Sequence, residues 1–188
     1  MGTIMFTEDR HYTHSTLRER IVEHVFVGDV LRTLWRRGVT DVEILRPEFD
    51  AHGYDVVMSR GPVVRHVQLK TQAAGKVSVG RALAEKPSGC VVWIGLDKNT
   101  LELGPFLWFG GSPGTPLPDI SCYPNPKRAT HNADGERPVR KNHHVLPPAA
   151  FTKLKILDEV VIRLFGEIPQ HEFPDPDSLL DARRPGEG

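Results

Sequence analysis

The sequence predicts an α/β fold in which a mixed β-sheet is flanked by helices. Three observations indicate it: an amphipathic pattern long enough for a helix near the N-terminus, two β-prone runs joined by a turn sequence, and an uninterrupted apolar run in mid-chain. With 188 residues, 39% of them hydrophobic and 26% charged, the chain has material for one sizeable core. We therefore expect a single domain.

The first predicted element is a helix from Ser15 to Arg37. Its apolar residues recur at spacings of three, four and six, which is typical of a helix with one face toward a core. They are Leu17, Ile21, Val27, Leu31 and Leu34. Ser15 or Thr16 is suited to cap the start of this helix, and Gly38 to end it.

Short strands are predicted to follow. Residues 42–45 and 54–58 are apolar enough for two strands, and the Ser-Arg-Gly-Pro sequence at 59–62 predicts a turn. Residues 63–71 then return as an antiparallel strand. The predicted helix is therefore followed by a meander.

Further strands are predicted in the middle of the chain. The run from Cys90 to Leu96 is apolar without interruption, which is typical of a strand covered on both faces. Residues 101–109 are suited to pair with it, and residues 79–85 favour a short helix before it.

The C-terminal half divides into three parts. Residues 110–148 are rich in proline and glycine, which predicts an irregular excursion. A second helix is predicted from about Pro148 to Phe165, where apolar residues recur every three or four positions. Residues 167–188 are acidic and proline-rich, which predicts a solvated, flexible tail. The predicted domain spans residues 15–166.

Composition excludes several classes of protein. Lys+Arg and Asp+Glu both number 24, so any basic surface must be local. The two cysteines, Cys90 and Cys122, are too few for a disulfide framework and do not form a CxxC pair. No apolar run approaches a membrane span and the first residues do not resemble a signal peptide. We therefore expect a cytoplasmic protein without a membrane partner.

The most informative residues lie on the predicted hairpin. Side chains alternate along a strand, so Gln68 and Lys70 share one face while Val67 and Leu69 face the core. Asp55, on the neighbouring strand, is expected to bring its carboxylate beside Gln68 and Lys70. The hairpin therefore predicts a polar cluster on one face of the sheet.

This cluster is suited to bind a hard cation, Mg²⁺ or Mn²⁺. Such an ion takes oxygen ligands and retains several waters. Asp55, the side-chain carbonyl of Gln68 and the backbone carbonyl of Leu69 provide three oxygens. Lys70 is then expected to hold an attacking water and to help deprotonate it.

The order aspartate, turn, Gln-x-Lys resembles the PD-(D/E)XK nuclease superfamily, in its variant with glutamine as the second acid. The resemblance covers about residues 15–96, and the sequences Gly-Tyr-Asp and Val-Gln-Leu-Lys-Thr are similar to small bacterial endonuclease-like domains related to Holliday-junction resolvases and restriction enzymes. It implies a restriction-endonuclease-like mixed sheet flanked by helices. It also implies a Mg²⁺-dependent endonuclease that cleaves DNA.

The resemblance further implies that an acid on the first helix completes the site. Glu23 lies four residues before Val27 and eight before Leu31, on the face expected to turn toward the sheet, whereas Glu19 lies one turn further out. We therefore expect Glu23 to contact the metal ion through water. The alternative is a solvent-facing helix residue.

Two positions depart from the superfamily pattern. Tyr54 stands where the family name has proline, a position without a catalytic role. Gln68 replaces a carboxylate with a neutral amide, which contributes less to cation binding, so one weakly bound ion is expected rather than two bound tightly.

Other interpretations stay open. One is a catalytically inactive module that keeps the nuclease fold and binds nucleic acid or a protein partner. Lys70 also suits the protection of a sheet edge. A homodimer is expected if the protein cuts both strands of a duplex with one site per chain.

The excursion at 110–148 contains a local excess of positive charge. Its five basic residues outnumber its three acids, and the favoured interpretation is a solvated loop; the alternative is that, with His143 and His144, they bind DNA phosphates. The basic residues are Lys127, Arg128, Arg137, Arg140 and Lys141. A zinc site formed by histidines and Cys122 is not expected, because the close ligand pairs of structural zinc sites are missing.

Overall fold

A computed structural model describes residues 14–49, 52–71 and 75–168. They form a mixed six-stranded sheet with two helices on one face and a two-stranded ribbon on the other, so the predicted α/β class is confirmed. The helices are α1 (Ser15–Arg36), α2 (Arg81–Ala84) and α3 (Leu157–Phe165), and Pro148–Ala150 forms a 3₁₀ turn. The strands are β1 (Val42–Leu45), β2 (Val56–Arg60), β3 (Val63–Lys70), β4 (Val77–Gly80), β5 (Gly89–Leu96), β6 (Leu103–Gly110), β7 (His143–Leu146) and β8 (Thr152–Leu154).

The strand order in the large sheet is β1-β2-β3-β5-β6-β8. Neighbouring strands are antiparallel except for β3 and β5, which are parallel. The predicted hairpin is present, with Val56 of β2 opposite Val67 of β3. On the other side of β3, Lys70 lies opposite Trp93 of β5.

The face covered by α1 and α3, the helical face, contains the larger core. Side chains of both helices pack there on residues from β2, β3, β5 and β6. The buried residues of α1 are Val22, Glu23, Phe26, Val27, Val30 and Leu34. The predicted helix is confirmed, but its predicted stripe is wrong in part, because Leu17, Ile21 and Leu31 are exposed. Since α1 has apolar residues on two faces, spacing alone did not identify the buried one.

The second predicted helix begins later than expected. Residues 148–150 form the 3₁₀ turn, and Thr152–Leu154 adds to the edge of the sheet beside β6, so α3 begins at Leu157. Phe151 and Leu154 fitted the helical pattern. They are buried in two different cores, one on each face of the sheet, which an extended segment allows because its side chains alternate.

The opposite face, the ribbon face, holds a second core. Val79 and Gly80, predicted to begin a short helix, belong to β4, and α2 begins at Arg81. The predicted irregular segment ends in β7, which pairs antiparallel with β4 and brings His143 opposite Gly80. The core between ribbon and sheet contains Val77, Val79, Leu83, Val91, Trp93, Phe109, Leu117, Ile120, Leu146 and Phe151.

A buried arginine ties α3 to the loops at one end of the sheet. Arg65 is 0% exposed and donates hydrogen bonds to the carbonyls of Arg163 at 2.7 Å, Leu164 at 3.0 Å and Gly111 at 2.8 Å, and to the Ser88 hydroxyl at 3.2 Å. Burial lowers the pKa of Arg65. The last carbonyls of a helix lack partners within it and carry the negative end of its dipole, so the guanidinium stabilises this end of α3.

The packed chain continues past the end of α3. Ile168 is buried in the larger core, so the core extends slightly beyond the predicted boundary at residue 166. The remainder of the predicted acidic tail, residues 169–188, lies outside the described residues. No helix among the described residues is long and apolar enough to cross a membrane.

Candidate functional site

Asp55 directly precedes β2, and the pairing of β2 with β3 fixes the position of its carboxylate. Gly53, at a φ of 70°, turns the chain into this strand. The N–H of Asp55 donates to the Val67 carbonyl at 2.9 Å, and its carboxylate accepts the N–H of Leu69 at 2.6 Å. The carboxylate therefore lies against the last residues of β3.

Gln68 and Lys70 lie on the ribbon face of β3. The predicted alternation is confirmed, because Val67 and Leu69 pack in the larger core on the other face. Gln68 is 7% exposed, and its Oε1 is buried without a hydrogen-bond partner among the described residues. Lys70 is half-buried.

These side chains open into a cavity of about 690 Å³ between the sheet and the ribbon, the ribbon cavity. On the sheet side it is lined by Gly53, Asp55, Gln68 and Lys70. The opposite wall comes from β4, α2 and the residues at the start of β7: Ser78, Gly80, Arg81, Ala82, Glu85, Arg140, Asn142 and His143. The polar cluster predicted from the hairpin thus faces a second wall that is also polar.

A smaller cavity of about 300 Å³, the helix cavity, lies between the start of α1 and the end of β3. It is lined by Thr16, Glu19, Arg20, Val22, Glu23, Asp55, Leu69, Lys70 and Thr71. Asp55 and Lys70 line both cavities. These two side chains therefore lie where the helical and ribbon faces adjoin.

Glu23 also lines the helix cavity, with both carboxylate oxygens engaged. Its Oε2 accepts a hydrogen bond from Arg20 at 3.0 Å, and its Oε1 accepts one from Arg46. Glu23 is buried and Glu19 is exposed, so Glu23 is not a solvent-facing helix residue. The negative charge that α1 brings to this edge of the sheet is thus shared with two arginines.

The donor atoms fit one hard cation better than two. The Asp55 carboxylate and the unpartnered Gln68 Oε1 line the same cavity, and both are oxygen donors. No group of three or more His, Cys, Asp or Glu side chains in the described part of the chain converges as a metal site. The arrangement fits a Mg²⁺-type ion that keeps several of its waters.

The remaining histidines and cysteines do not form a zinc site in the described ranges. His144 contacts the Tyr123 carbonyl through Nδ1, and His11 lies outside the described residues. Cys122 is exposed, whereas burial raises the pKa of Cys90 to about 12. The Cys90 thiol therefore stays protonated at neutral pH and is unsuited to ligate metal.

Sequence reasoning missed the second wall of the ribbon cavity. Ser78 lines it, with an Oγ that is buried and has no hydrogen-bond partner among the described residues. The alternation Val-Ser-Val-Gly at 77–80 was the available signal for a strand with one polar face. Of the five basic residues in the segment at 110–148, Arg140 lines the cavity.

No protein-family model matches the sequence, and no curated protein matches it. Among solved structures, the chain is similar to Hjc, a Holliday junction resolvase from the archaeal hyperthermophile Archaeoglobus fulgidus. The match has a TM-score of 0.40 and 12% sequence identity, and it covers 73% of this chain and 98% of that one.

Proposed function

We propose that the protein is a metal-dependent endonuclease that hydrolyses phosphodiester bonds in DNA. The observation that carries the proposal is the meeting of Asp55, Gln68 and Lys70 at one cavity, with Gln68 Oε1 buried and unpartnered. A buried polar atom without a partner costs about 1–3 kcal/mol. A cation bound between Gln68 and Asp55 offsets this cost.

Asp55, Gln68 and the Leu69 carbonyl would hold one Mg²⁺ or Mn²⁺ ion. When bound, such an ion lowers the pKa of its water and offsets charge that develops on the phosphate. Glu23, in the adjoining helix cavity, would contact the ion through water. Its pairing with two arginines and the neutral amide of Gln68 both favour weak binding.

Lys70 orients the attacking water in this proposal. Lys70 lines both cavities, so it is accessible to water in the helix cavity and to a phosphate in the ribbon cavity. The water gives up a proton to solvent, which the positive charge of Lys70 favours, and its oxygen bonds to phosphorus. The bond from phosphorus to the leaving oxygen then breaks, and that oxygen takes up a proton from solvent.

A second candidate is a nuclease-fold module that binds nucleic acid or a protein partner without cleaving it. The observation that favours it is the low number of available carboxylates. Glu85, the other acid of the ribbon cavity, pairs with Arg81 at 3.4 Å, which leaves Asp55 as the cavity's main negative group.

Nicking of supercoiled plasmid DNA with Mg²⁺ or Mn²⁺ separates the two candidates. We expect the wild-type protein to cleave, and Lys70→Ala and Asp55→Asn to lose at least about 100-fold in rate. Asp55→Asn keeps an acceptor for the Leu69 N–H, so its melting temperature should stay close to that of the wild type. A wild-type protein that cleaves no DNA or RNA, or a Lys70 variant that cleaves normally, excludes the endonuclease.

Gln68→Glu provides a test of the metal site. It restores the charge that most of the superfamily uses, so we expect retained cleavage at a lower Mg²⁺ concentration. The control is Val67→Ala, one position away on the buried face of β3, which should lower stability without changing the Mg²⁺ requirement.

A further inference from the structure

The second wall of the ribbon cavity has chemistry of its own. We propose that this wall binds a single-stranded segment of nucleic acid, with a phosphate on Arg140 and a polar atom of the nucleotide on Ser78. The inference rests on the proposed function in taking nucleic acid as the ligand. It extends that function by naming the form in which a strand enters the cavity: unpaired, as where supercoiling locally opens a plasmid duplex.

Ser78 is the first observation. Along β4, Val77 and Val79 face the smaller core, whereas Ser78 and Gly80 line the cavity. The Ser78 Oγ is buried and unpartnered among the described residues, as is Gln68 Oε1 on the sheet side of the same cavity. Two buried polar atoms without partners line one cavity, and a polar ligand bound in that cavity would provide the partners that they lack. A hydroxyl both donates and accepts, so it is able to pair with a base edge or a phosphate oxygen.

Arg140 is the second observation. Its Nη2 lies 2.7 Å from His143 Nε2. A guanidinium only donates, so His143 accepts at Nε2. One of the five N–H donors of Arg140 thus holds the side chain at the cavity, and the fork that remains matches the oxygens of a phosphate.

The backbone around Arg140 is tied to its neighbours. The N–H of Arg140 donates to the Pro126 carbonyl at 2.7 Å, and Asn125 Nδ2 donates to the His143 carbonyl at 2.6 Å. β7 then pairs with β4, which packs in the smaller core. The second wall of the ribbon cavity, with Arg140, is therefore part of the folded unit and is organised before a ligand binds.

The size and charge of the cavity favour a single strand over a duplex. A volume of about 690 Å³ lies in the range of pockets that hold one small ligand, which leaves room for one or two nucleotides but not for stacked base pairs. The cationic side chains that line the cavity are Lys70, Arg81 and Arg140, and the charge of Arg81 is partly offset by Glu85 at 3.4 Å.

The test is binding of a fluorescently labelled oligonucleotide, measured by anisotropy in EDTA so that metal-dependent cleavage does not occur. We expect the single strand to bind at least about fivefold more tightly than the same sequence as a duplex. Arg140→Gln should weaken single-strand binding about five- to tenfold and lower the salt slope by about 0.7, as for the loss of one phosphate contact. Ser78→Ala should weaken it about two- to fivefold.

Arg137→Gln is the matched control. Arg137 donates to His131 at 3.3 Å, much as Arg140 contacts His143, and it lies in the same segment but does not line the cavity. Its loss should change affinity less than twofold. Equal effects at Arg140 and Arg137, or a duplex bound as tightly as the single strand, would overturn the inference.

The two proposals fail in different ways. A wild-type protein that binds single strands through Arg140 in EDTA but cleaves no nucleic acid with either metal ion supports this inference and ends the endonuclease proposal. A wild-type protein that cleaves, while Arg140→Gln binds and cleaves normally, overturns the inference alone.

Discussion

The two faces of the central sheet are covered by different kinds of structure. On the helical face, α1 and α3 are amphipathic helices whose buried side chains pack against β2, β3, β5 and β6. On the ribbon face, the cover consists of two four-residue strands, a four-residue helix and loop residues such as Leu117 and Ile120. Short elements and loops cover a sheet less completely than helices do. The larger of the two cavities at the proposed site lies on this side.

The buried polar groups of the two faces differ in the same way. Arg65, whose side chain lies toward α3, uses its guanidinium in four hydrogen bonds and lies 5.4 Å from the Trp108 ring centre. Gln68 and Ser78, on the ribbon face, each have a buried polar atom without a partner among the described residues. A satisfied buried group stabilises the fold, whereas an unsatisfied group that lines a cavity is able to bind a ligand. This difference supports the proposal that Gln68 and Ser78 bind ligands in the ribbon cavity.

The largest expected effect is on the helical face. Arg65→Met should lower the free energy of unfolding by about 3–5 kcal/mol, because the buried carbonyl of Leu164 and the partly buried carbonyls of Arg163 and Gly111 lose their donor. Urea denaturation measures it. Arg65→Lys keeps the charge but not the planar fork, so it should fall between the wild type and Arg65→Met. A loss below about 1 kcal/mol for Arg65→Met would contradict this assignment.

A matched pair of leucines compares the faces directly. Leu34 of α1 and Leu83 of α2 are both 0% exposed, in the larger and the smaller core respectively. Leu34→Ala should cost about 2–4 kcal/mol of stability and leave cleavage unchanged at temperatures below melting. Leu83→Ala should cost less, because loops around it relax more easily, but should slow cleavage by deforming the ribbon cavity. A larger loss of stability for Leu83→Ala than for Leu34→Ala, with slower cleavage only in Leu34→Ala, would contradict the comparison.

The contribution of the helical face to the site depends on the Glu23 carboxylate and its arginine partners. Arg46→Gln removes one partner of the Glu23 carboxylate, so the Mg²⁺ concentration for half-maximal cleavage should fall several-fold. Glu23→Gln should raise it several-fold. Both variants should change the free energy of unfolding by less than about 2 kcal/mol, since Arg46 is partly exposed. Unchanged Mg²⁺ requirements in both variants would confine the metal site to the ribbon face.

The smallest expected effect is a pH dependence at His66, on the ribbon side of β3. Burial, with Lys86 and His52 nearby, lowers its pKa from the ordinary 6.5. As pH falls below about 6.5 the unfolded chain binds a proton that the folded state resists, so stability should decrease, whereas above it both states are neutral. His66→Gln should reduce the slope of unfolding free energy between pH 5 and 7. A steeper slope in the His66→Gln variant than in the wild type would contradict this prediction.

The hairpin shows how far local patterns reach. Strict alternation along β3 predicts that Val67 and Leu69 pack on the core of one face and that Gln68 and Lys70 lie on the other, as observed. The antiparallel partner is also predictable, because a short turn leaves it little choice of register; the structure places this turn at Gly61 and Pro62, since Arg60 pairs with Val63. Apart from Glu23, the residues proposed for catalysis therefore come from a short stretch of chain.

Two helices show where such patterns fail. α1 has apolar residues on two sides, and packing against α3 and the sheet selects the side with Phe26 and Val30 over the side with Leu17 and Ile21. In residues 148–165 the spacing of Phe151 and Leu154 favoured a helix. The free edge of β6 took up residues 152–154 as a strand instead, because pairing there satisfies backbone groups of both strands.

The order of elements, the hairpin and the Asp55, Gln68 and Lys70 cluster follow from neighbours in the chain, whose spacing and turn chemistry are local properties. The second wall of the cavity does not. It depends on the pairing of β7 with β4, which a long proline-rich segment separates in the sequence. This pairing is favoured because it buries Val79 and Leu146 in a shared core. Burial of apolar surface between distant segments cannot be recognised in a short stretch of sequence. Only the tertiary structure therefore shows that Arg140 and Ser78 line the same cavity as the predicted cluster.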